Sequence, residues 1–151
     1  MPQRRRILLA VRIGEASAGP AQTAAWLAAE LDAELAVVYV ATELDTAGEV
    51  ASTMGMDDHA AREQLLEQAR ERADLVAREQ LGGRPFELVI EAGDVAERVA
   101  AVAASLAADL IVAGSHAHGA LRGAILGDTT ADILRRAPCA VVVVPPKAAR
   151  T

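Results

Sequence analysis

The sequence alternates between five short apolar runs and longer stretches with the periodicity of amphipathic helices. Parallel strands cannot be joined by a tight turn, so each connection needs a crossover segment, usually a helix. The alternation therefore predicts an α/β fold with a five-stranded parallel sheet. The predicted strands are Ile7–Val11, Leu35–Val40, Phe86–Ala92, Leu110–Ala113 and Ala140–Val144.

The third predicted strand differs from the other four in its pattern. Glu87 and Glu91 alternate with the apolar residues Leu88 and Ile90. Alternation indicates a strand with one solvent-exposed side, whereas nearly uninterrupted apolar runs indicate strands that are covered on both faces. We therefore expect helices on both faces of the sheet, with the third strand near an edge.

Four helices are predicted between the strands. The first opens at Pro20 and runs to about Asp32, the second spans about Asp58 to Leu81, the third follows Asp94, and the fourth runs from near Asp128 to before Pro138. Asp94 and Glu97 form a capping box, which is a strong start signal. The apolar stripes predict that Leu31 of the first helix and Leu134 of the last helix face the core. The long irregular stretch 41–57 is typical of a lid or a mobile loop.

The composition fits a single domain over residues 1–151. Of these residues, 52% are hydrophobic and only 2% are aromatic, so the core is aliphatic. A chain of this length buries roughly 68–70% of its unfolded surface and needs neither a disulfide nor a structural metal. Cys139 is the only cysteine, and no apolar run approaches the length of a secretory signal or a membrane span. We expect a soluble cytoplasmic protein with no membrane partner.

The net charge of -6 argues against a nucleic-acid partner. Phosphate backbones favour clustered lysine and arginine, and base stacking requires aromatic side chains. The run Arg4–Arg6 is the local exception, and we interpret it as a solvated flank ahead of a buried strand.

Two loops are candidates for a ligand site. In an open parallel sheet, ligands bind beyond the carboxyl ends of the strands where the strand order reverses. If the first strand is central, the crevice lies between the loop 12–19 and the loop 114–127, which reads GSHAHGALRGAILG. The second loop leads into a helix N-terminus, where free N–H groups favour an anion.

Over nearly its whole length the chain resembles the universal stress protein family. The resemblance is carried by RRRILLAV, by DLIVAGSHAHGALRGAILGDTT and by LRRAPCAVVVVP. It implies a Rossmann-like, adenine nucleotide alpha hydrolase-like fold with strand order 3-2-1-4-5. It also implies a loop of the form G-x-x-G-x9-G-[ST] that holds the phosphates of ATP. The residues that would bind a nucleotide here are Val40, Gly114, Gly127 and Thr130.

Three positions depart from the family's pattern. Arg12 follows the first strand where the family usually has an aspartate, Ala117 replaces the second glycine, and Asp128 replaces the serine or threonine. A Cβ at Ala117 costs roughly 1–2 kcal/mol if its φ is positive. Asp128 has the larger effect, because its carboxylate can cap the helix by accepting from the N–H groups that a phosphate would use.

Charge repulsion adds to the effect of Asp128. Two unit charges about 4 Å apart repel by roughly 4 kcal/mol at an effective dielectric constant near 20, which is about a thousandfold in affinity. Arg12, His116, His118 and Arg122 lie in or near the same loops and offset part of this repulsion if they face a phosphate. The sequence therefore predicts weak or absent triphosphate binding.

Neither a metal site nor catalytic machinery is expected. His116 and His118 form a pair that, with Asp128, suggests zinc, but exposed loop histidines without a defined third and fourth ligand are usually solvated. Ser115 beside His116 lacks the elbow and the paired base of a hydrolase. We assign no catalytic residue.

The last predicted strand indicates self-association. Its residues, Ala140, Val141, Val142, Val143 and Val144, are uncharged and strongly β-forming. In the strand order that the resemblance implies, this strand lies at an edge, and pairing with its symmetry mate in a homodimer would cover it. The resemblance implies a regulatory role in stress responses, and we expect a non-enzymatic homodimer with weakened or lost ATP binding. The alternative is a protein that binds ATP or AMP, with or without slow hydrolysis.

Overall fold

One parallel sheet organises the protein. The computed structural model describes residues 3–12, 18–42, 44, 49–50, 52–55, 57–115 and 126–145. Its strands are β1 Arg6–Val11, β2 Glu34–Val40, β3 Glu87–Glu91, β4 Leu110–Gly114 and β5 Ala140–Val144. They lie in the order β3-β2-β1-β4-β5, and every neighbouring pair is parallel. The predicted fold class and strand order are confirmed.

Four helices connect these strands. They are α1 Ala18–Leu31, α2 Asp58–Gln80, α3 Val95–Ser105 and α4 Asp128–Arg136. The Asp94 carboxylate accepts from the Glu97 N–H at 2.9 Å, as the capping box predicts. Gly82 and Gly83 follow α2 with φ of +62° and +83°, a conformation that glycine adopts without strain. This pair of glycines turns the chain out of α2 towards β3.

The sheet separates two apolar cores. On one face, Ala24 of α1 and Ala73 of α2 pack with Leu9 of β1. On the other face, Val99 of α3 and Ile133 of α4 belong to a second cluster around the opposite side of the sheet. Helices therefore cover both faces, and the central strands are buried as their uninterrupted apolar runs predict.

Two predicted core positions are wrong. Leu31 is 44% exposed and Leu134 is 41% exposed. In α1 the buried residues are Pro20 and small alanines such as Ala24 and Ala28, and Leu31 is the final helical residue. In α4 the buried residues are Thr130 and Ile133, so the inward face lies to one side of Leu134.

The stretch 41–57 is less irregular than predicted. Leu44 is buried at 3% exposure and belongs to the first core. Residues 49–50 and 52–53 are helical, and the Thr53 hydroxyl donates to the Glu49 carbonyl at 2.8 Å. Helical periodicity over so few residues is too short to read from a sequence.

Arg6 links three elements at the N-terminal ends of the strands. Its backbone N–H donates to the Asp109 carboxylate at 2.9 Å. Its guanidinium donates to Glu34 at 3.1 Å and to the Leu106 carbonyl at 3.0 Å. The basic flank is therefore more than solvated charge, because Arg6 connects β1 to β2 and to the end of α3. Within the described ranges, no helix has the length and apolar character needed to span a membrane.

Candidate nucleotide crevice

The candidate site lies where the chain leaves β1 and β4. These two strands are neighbours, and β1 connects towards one side of the sheet while β4 connects towards the other. This is the point of strand-order reversal at which open α/β sheets bind ligands. Gly114 ends β4, and Asp128 starts α4, the next described helix along the chain.

The N-cap residue of α4 provides no side-chain cap. The N-cap residue is Gly127, with φ of -60° and ψ of 156°, and it makes no side-chain hydrogen bond. Asp128 is the first helical residue and is exposed. The expectation that the Asp128 carboxylate caps this helix is wrong, because a capping side chain belongs to the N-cap residue, one position earlier. Asp128 instead places a negative charge in the first turn.

Thr130 fixes α4 against the sheet. Its hydroxyl donates to the Gly114 carbonyl at 2.7 Å, and the residue is only 3% exposed. The bond joins the first turn of α4 to the last residue of β4, on opposite sides of the loop. The sequence identified Thr130 as a ligand candidate but not as a contact of Gly114. The available signal for this contact was a polar residue on the inward face of α4.

The other described candidates occupy the ends of β1 and β2. Val40 ends β2, is 7% exposed, and pairs with Glu91 of β3. Arg12 follows β1 directly and is exposed. Strand order places the end of β1, and therefore Arg12, between the ends of β2 and β4. Arg12 therefore places a positively charged side chain next to the crevice.

Several predicted positions lie outside the described residues. These are residues 13–17 of the first loop, and Ala117, His116, His118 and Arg122 of the second. The described part of the site therefore consists of Arg12, Val40, Gly114 with Ser115, and the start of α4 from Gly127.

The described groups fit an anion only in part. The N-cap residue Gly127 offers the first-turn N–H groups of α4 no side-chain acceptor, and a helix N-terminus attracts negative charge. The Asp128 carboxylate in the same turn repels it. An anion of low charge meets less of this repulsion than a triphosphate does, because Coulomb energy scales with the product of the charges.

Cys139 lies apart from this site, just before the N-terminal end of β5. Burial, and secondarily the Asp109 carboxylate, raises the pKa of the Cys139 thiol. A raised pKa keeps the thiol protonated, which is the opposite of what a cysteine nucleophile needs. Across the described ranges, no three histidine, cysteine, aspartate or glutamate residues are grouped to hold a metal ion.

The sequence matches the model of the universal stress protein family over residues 3–145. The chain belongs to the universal stress protein family. Among curated proteins, none matches the sequence significantly. The match to the family model confirms the predicted resemblance.

Solved structures share the fold of this universal stress protein. The hypothetical protein MJ0577 superimposes with a TM-score of 0.73 at 19% identity, covering 96% of this chain and 98% of that one. UspA from Lactobacillus plantarum gives 0.63 at 23% identity, covering 94% and 99%. A universal stress protein in complex with cAMP gives 0.61 at 19% identity, covering 95% and 98%. At these identities the likeness establishes the fold alone.

Proposed function

We propose that this protein is a single-domain, cytoplasmic, regulatory universal stress protein that acts as a homodimer without catalysis and binds ATP weakly or not at all. The observation that carries the proposal is the exposed Asp128 carboxylate in the first turn of α4. It stands where the family pattern has a hydroxyl, and a carboxylate cannot donate a hydrogen bond to a phosphate.

The charge of Asp128 is the reason for the weak binding. Its side chain does not occupy the N–H groups of α4, so the crevice keeps donors for one anionic group. Repulsion from the carboxylate grows with each additional phosphate charge. Affinity should therefore fall from AMP to ADP to ATP, the reverse of the order expected if the helix N-terminus acted alone.

Calorimetric titration of AMP, ADP and ATP into the unmodified protein, with and without Mg²⁺, tests this order. We expect ATP without Mg²⁺ to bind most weakly, and Mg²⁺ to recover part of its affinity by neutralising phosphate charge. Micromolar ATP binding in the absence of Mg²⁺ would overturn the proposal. Purified protein incubated with ATP should release no phosphate above the rate of a buffer blank.

A second candidate is a sensor of adenine nucleotides that carry a single phosphate. The uncapped start of α4 favours it, because one phosphate of low charge meets available donors and limited repulsion. A structural neighbour is described in complex with cAMP. Titration of cAMP alongside AMP separates this candidate from loss of nucleotide binding. Micromolar binding of AMP or cAMP supports the sensor, and only weak binding of both supports the loss.

The sheet's two edges support the homodimer. Among the described strands β5 pairs only with β4, and its residues Ala140–Val144 include no charge. β3, at the opposite edge, carries Glu87 and Glu91, and charged residues are a common protection of an open edge. Only β5 lacks this protection, so it is the edge that a second copy would cover.

The backbone direction of β5 determines the test variant. The Ser115 N–H donates to the Val144 carbonyl at 3.0 Å, so Val144 points towards β4. Successive residues of a strand alternate, so Val142 also points towards β4 and Val143 points away. Val143→Pro removes an outward donor and should give a monomer by light scattering. Val142→Pro is the contrasting variant, because it removes a β4 bond and should lower stability. A monomeric unmodified protein would refute the dimer.

A further inference from the structure

A groove lies beside the start of β3. It has a volume of about 560 Å³ and is lined by Phe86 and Leu88 together with residues of α2 and of the turn that precedes β3. In the described part of the chain, β3 pairs only with β2. The edge therefore offers both unpaired backbone groups and an apolar surface, the two features that strand addition by a peptide uses.

The outward backbone groups of β3 follow from its ladder with β2. The Ala41 N–H donates to the Glu91 carbonyl at 2.8 Å, so Glu91 points towards β2. Because successive residues alternate, Val89 also points towards β2, whereas Leu88 and Ile90 direct their N–H and carbonyl groups outward. An added strand would bond to Leu88 and Ile90 without disturbing the sheet.

The two faces of β3 carry different chemistry. Leu88 and Ile90 pack against the first core, on the face that carries the groove. Glu87, which is exposed, and Glu91, which is half-buried, lie on the opposite face. Residues on an adjacent strand would alternate in the same way, with apolar side chains in the groove and the other side chains beside Glu87, Val89 and Glu91.

The wall of the groove is neutral overall. Glu67, Glu71 and Asp74 are balanced by Arg70, Arg78 and Arg84. Asp74 and Arg78 form an ion pair at 2.7 Å. The charge preference of the edge is therefore determined by the two glutamates. They repel a second copy of β3, since glutamate would face glutamate, and they attract a basic strand.

We propose that the β3 edge binds an extended segment of a partner protein in which apolar residues alternate with lysine or arginine. The segment adds as a sixth strand, with its apolar residues over Phe86 and Leu88 and its basic residues beside Glu87 and Glu91. This surface is at the opposite edge of the sheet from β5, so a β5 dimer leaves it open.

The test uses capped heptapeptides of alternating valine and lysine, with a valine and glutamate peptide as the comparison. Hydrogen exchange of the full chain is followed by NMR. We expect the lysine peptide to slow exchange at the Leu88 and Ile90 amides by at least tenfold, and the glutamate peptide to leave both unchanged. Equal protection by both peptides, protection at β5 instead, or no protection at saturating peptide would each overturn the proposal.

A matched pair of charge reversals completes the experiment. Glu87→Lys should weaken the lysine peptide by roughly five- to tenfold, because attraction across the strands becomes repulsion. Glu30→Lys, at an exposed position of α1, makes the same change in net charge away from β3 and should leave affinity within about twofold. Equal loss in both variants would mean that net charge, and not the edge, attracts the peptide. Concentration-dependent protection without peptide would assign the edge to a second copy and refute the proposal.

Discussion

Replacing Asp128 by asparagine should strengthen ATP binding, and the exposure of Asp128 limits the size of the effect. For a phosphate oxygen about 4 Å from the carboxylate, one pair of charges repels by about 1 kcal/mol in water and about 4 kcal/mol at an effective dielectric constant near 20. Asp128 is exposed, so the lower half of this interval applies. We expect a gain of about 1–2 kcal/mol, or roughly five- to thirtyfold in Kd.

Titration calorimetry on matched variants measures this gain. Asp128→Asn removes the charge and keeps the shape, and Asp128→Ser also restores the hydroxyl of the family pattern. Asp132→Asn is the control, because it removes an equal charge one turn further along α4, where Asp132 pairs with Arg135. The gain should be larger for ATP than for AMP and should shrink with added salt. An equal gain from Asp132→Asn, or none from Asp128→Asn, would refute the electrostatic explanation.

Two further predictions concern Thr130 and Cys139. Thr130→Val removes the 2.7 Å bond to the Gly114 carbonyl and should lower the free energy of unfolding by about 1–3 kcal/mol in urea titration, whereas Thr129→Val, half-buried beside it, should change it less. An unchanged midpoint for Thr130→Val would contradict its anchoring role. Because burial raises the pKa of the Cys139 thiol, its thiolate fraction at pH 8 is smaller than that of an unfolded chain. Folded protein should react with a disulfide reagent more slowly than urea-unfolded protein at that pH, and faster reaction of the folded form would contradict this.

The positions of the strands and helices were predictable because they depend on patterns many residues long, whereas the strand order came from the family resemblance. The run Ala140–Val144 and the capping box at Asp94 each specify an element through several residues at once. Leu31 and Leu134 were misplaced because successive side chains of a helix point 100° apart, so a neighbouring residue can lie off the inward face. In addition, the alanines that pack close to the sheet give a weak hydrophobic signal.

The site was less predictable because its roles depend on single positions. The sequence identified Asp128 as the important departure but could not place the start of α4 to one residue, and that residue decides between a cap and a first-turn charge. Likewise, the contact between Thr130 and Gly114 spans sixteen positions of the chain. Side-chain pairing over such a separation is decided by the packed structure and not by local pattern.

Residues at the start of α4 have two roles, one in positioning the helix and one in binding phosphate, and different residues carry them. The positioning role is to bring the helix N-terminus to the end of β4, and Gly127 as N-cap with the Thr130 bond to Gly114 performs it here. The binding role is to present donors to phosphate, and Asp128 changes that by charge alone. Thr130 is buried, whereas Asp128 is exposed, so substitution at Asp128 can alter ligand preference at little cost in stability. Asp128→Ser should therefore leave the urea midpoint nearly unchanged while it shifts nucleotide affinity. A variant that changed both together would show that the two roles are not separable at this helix.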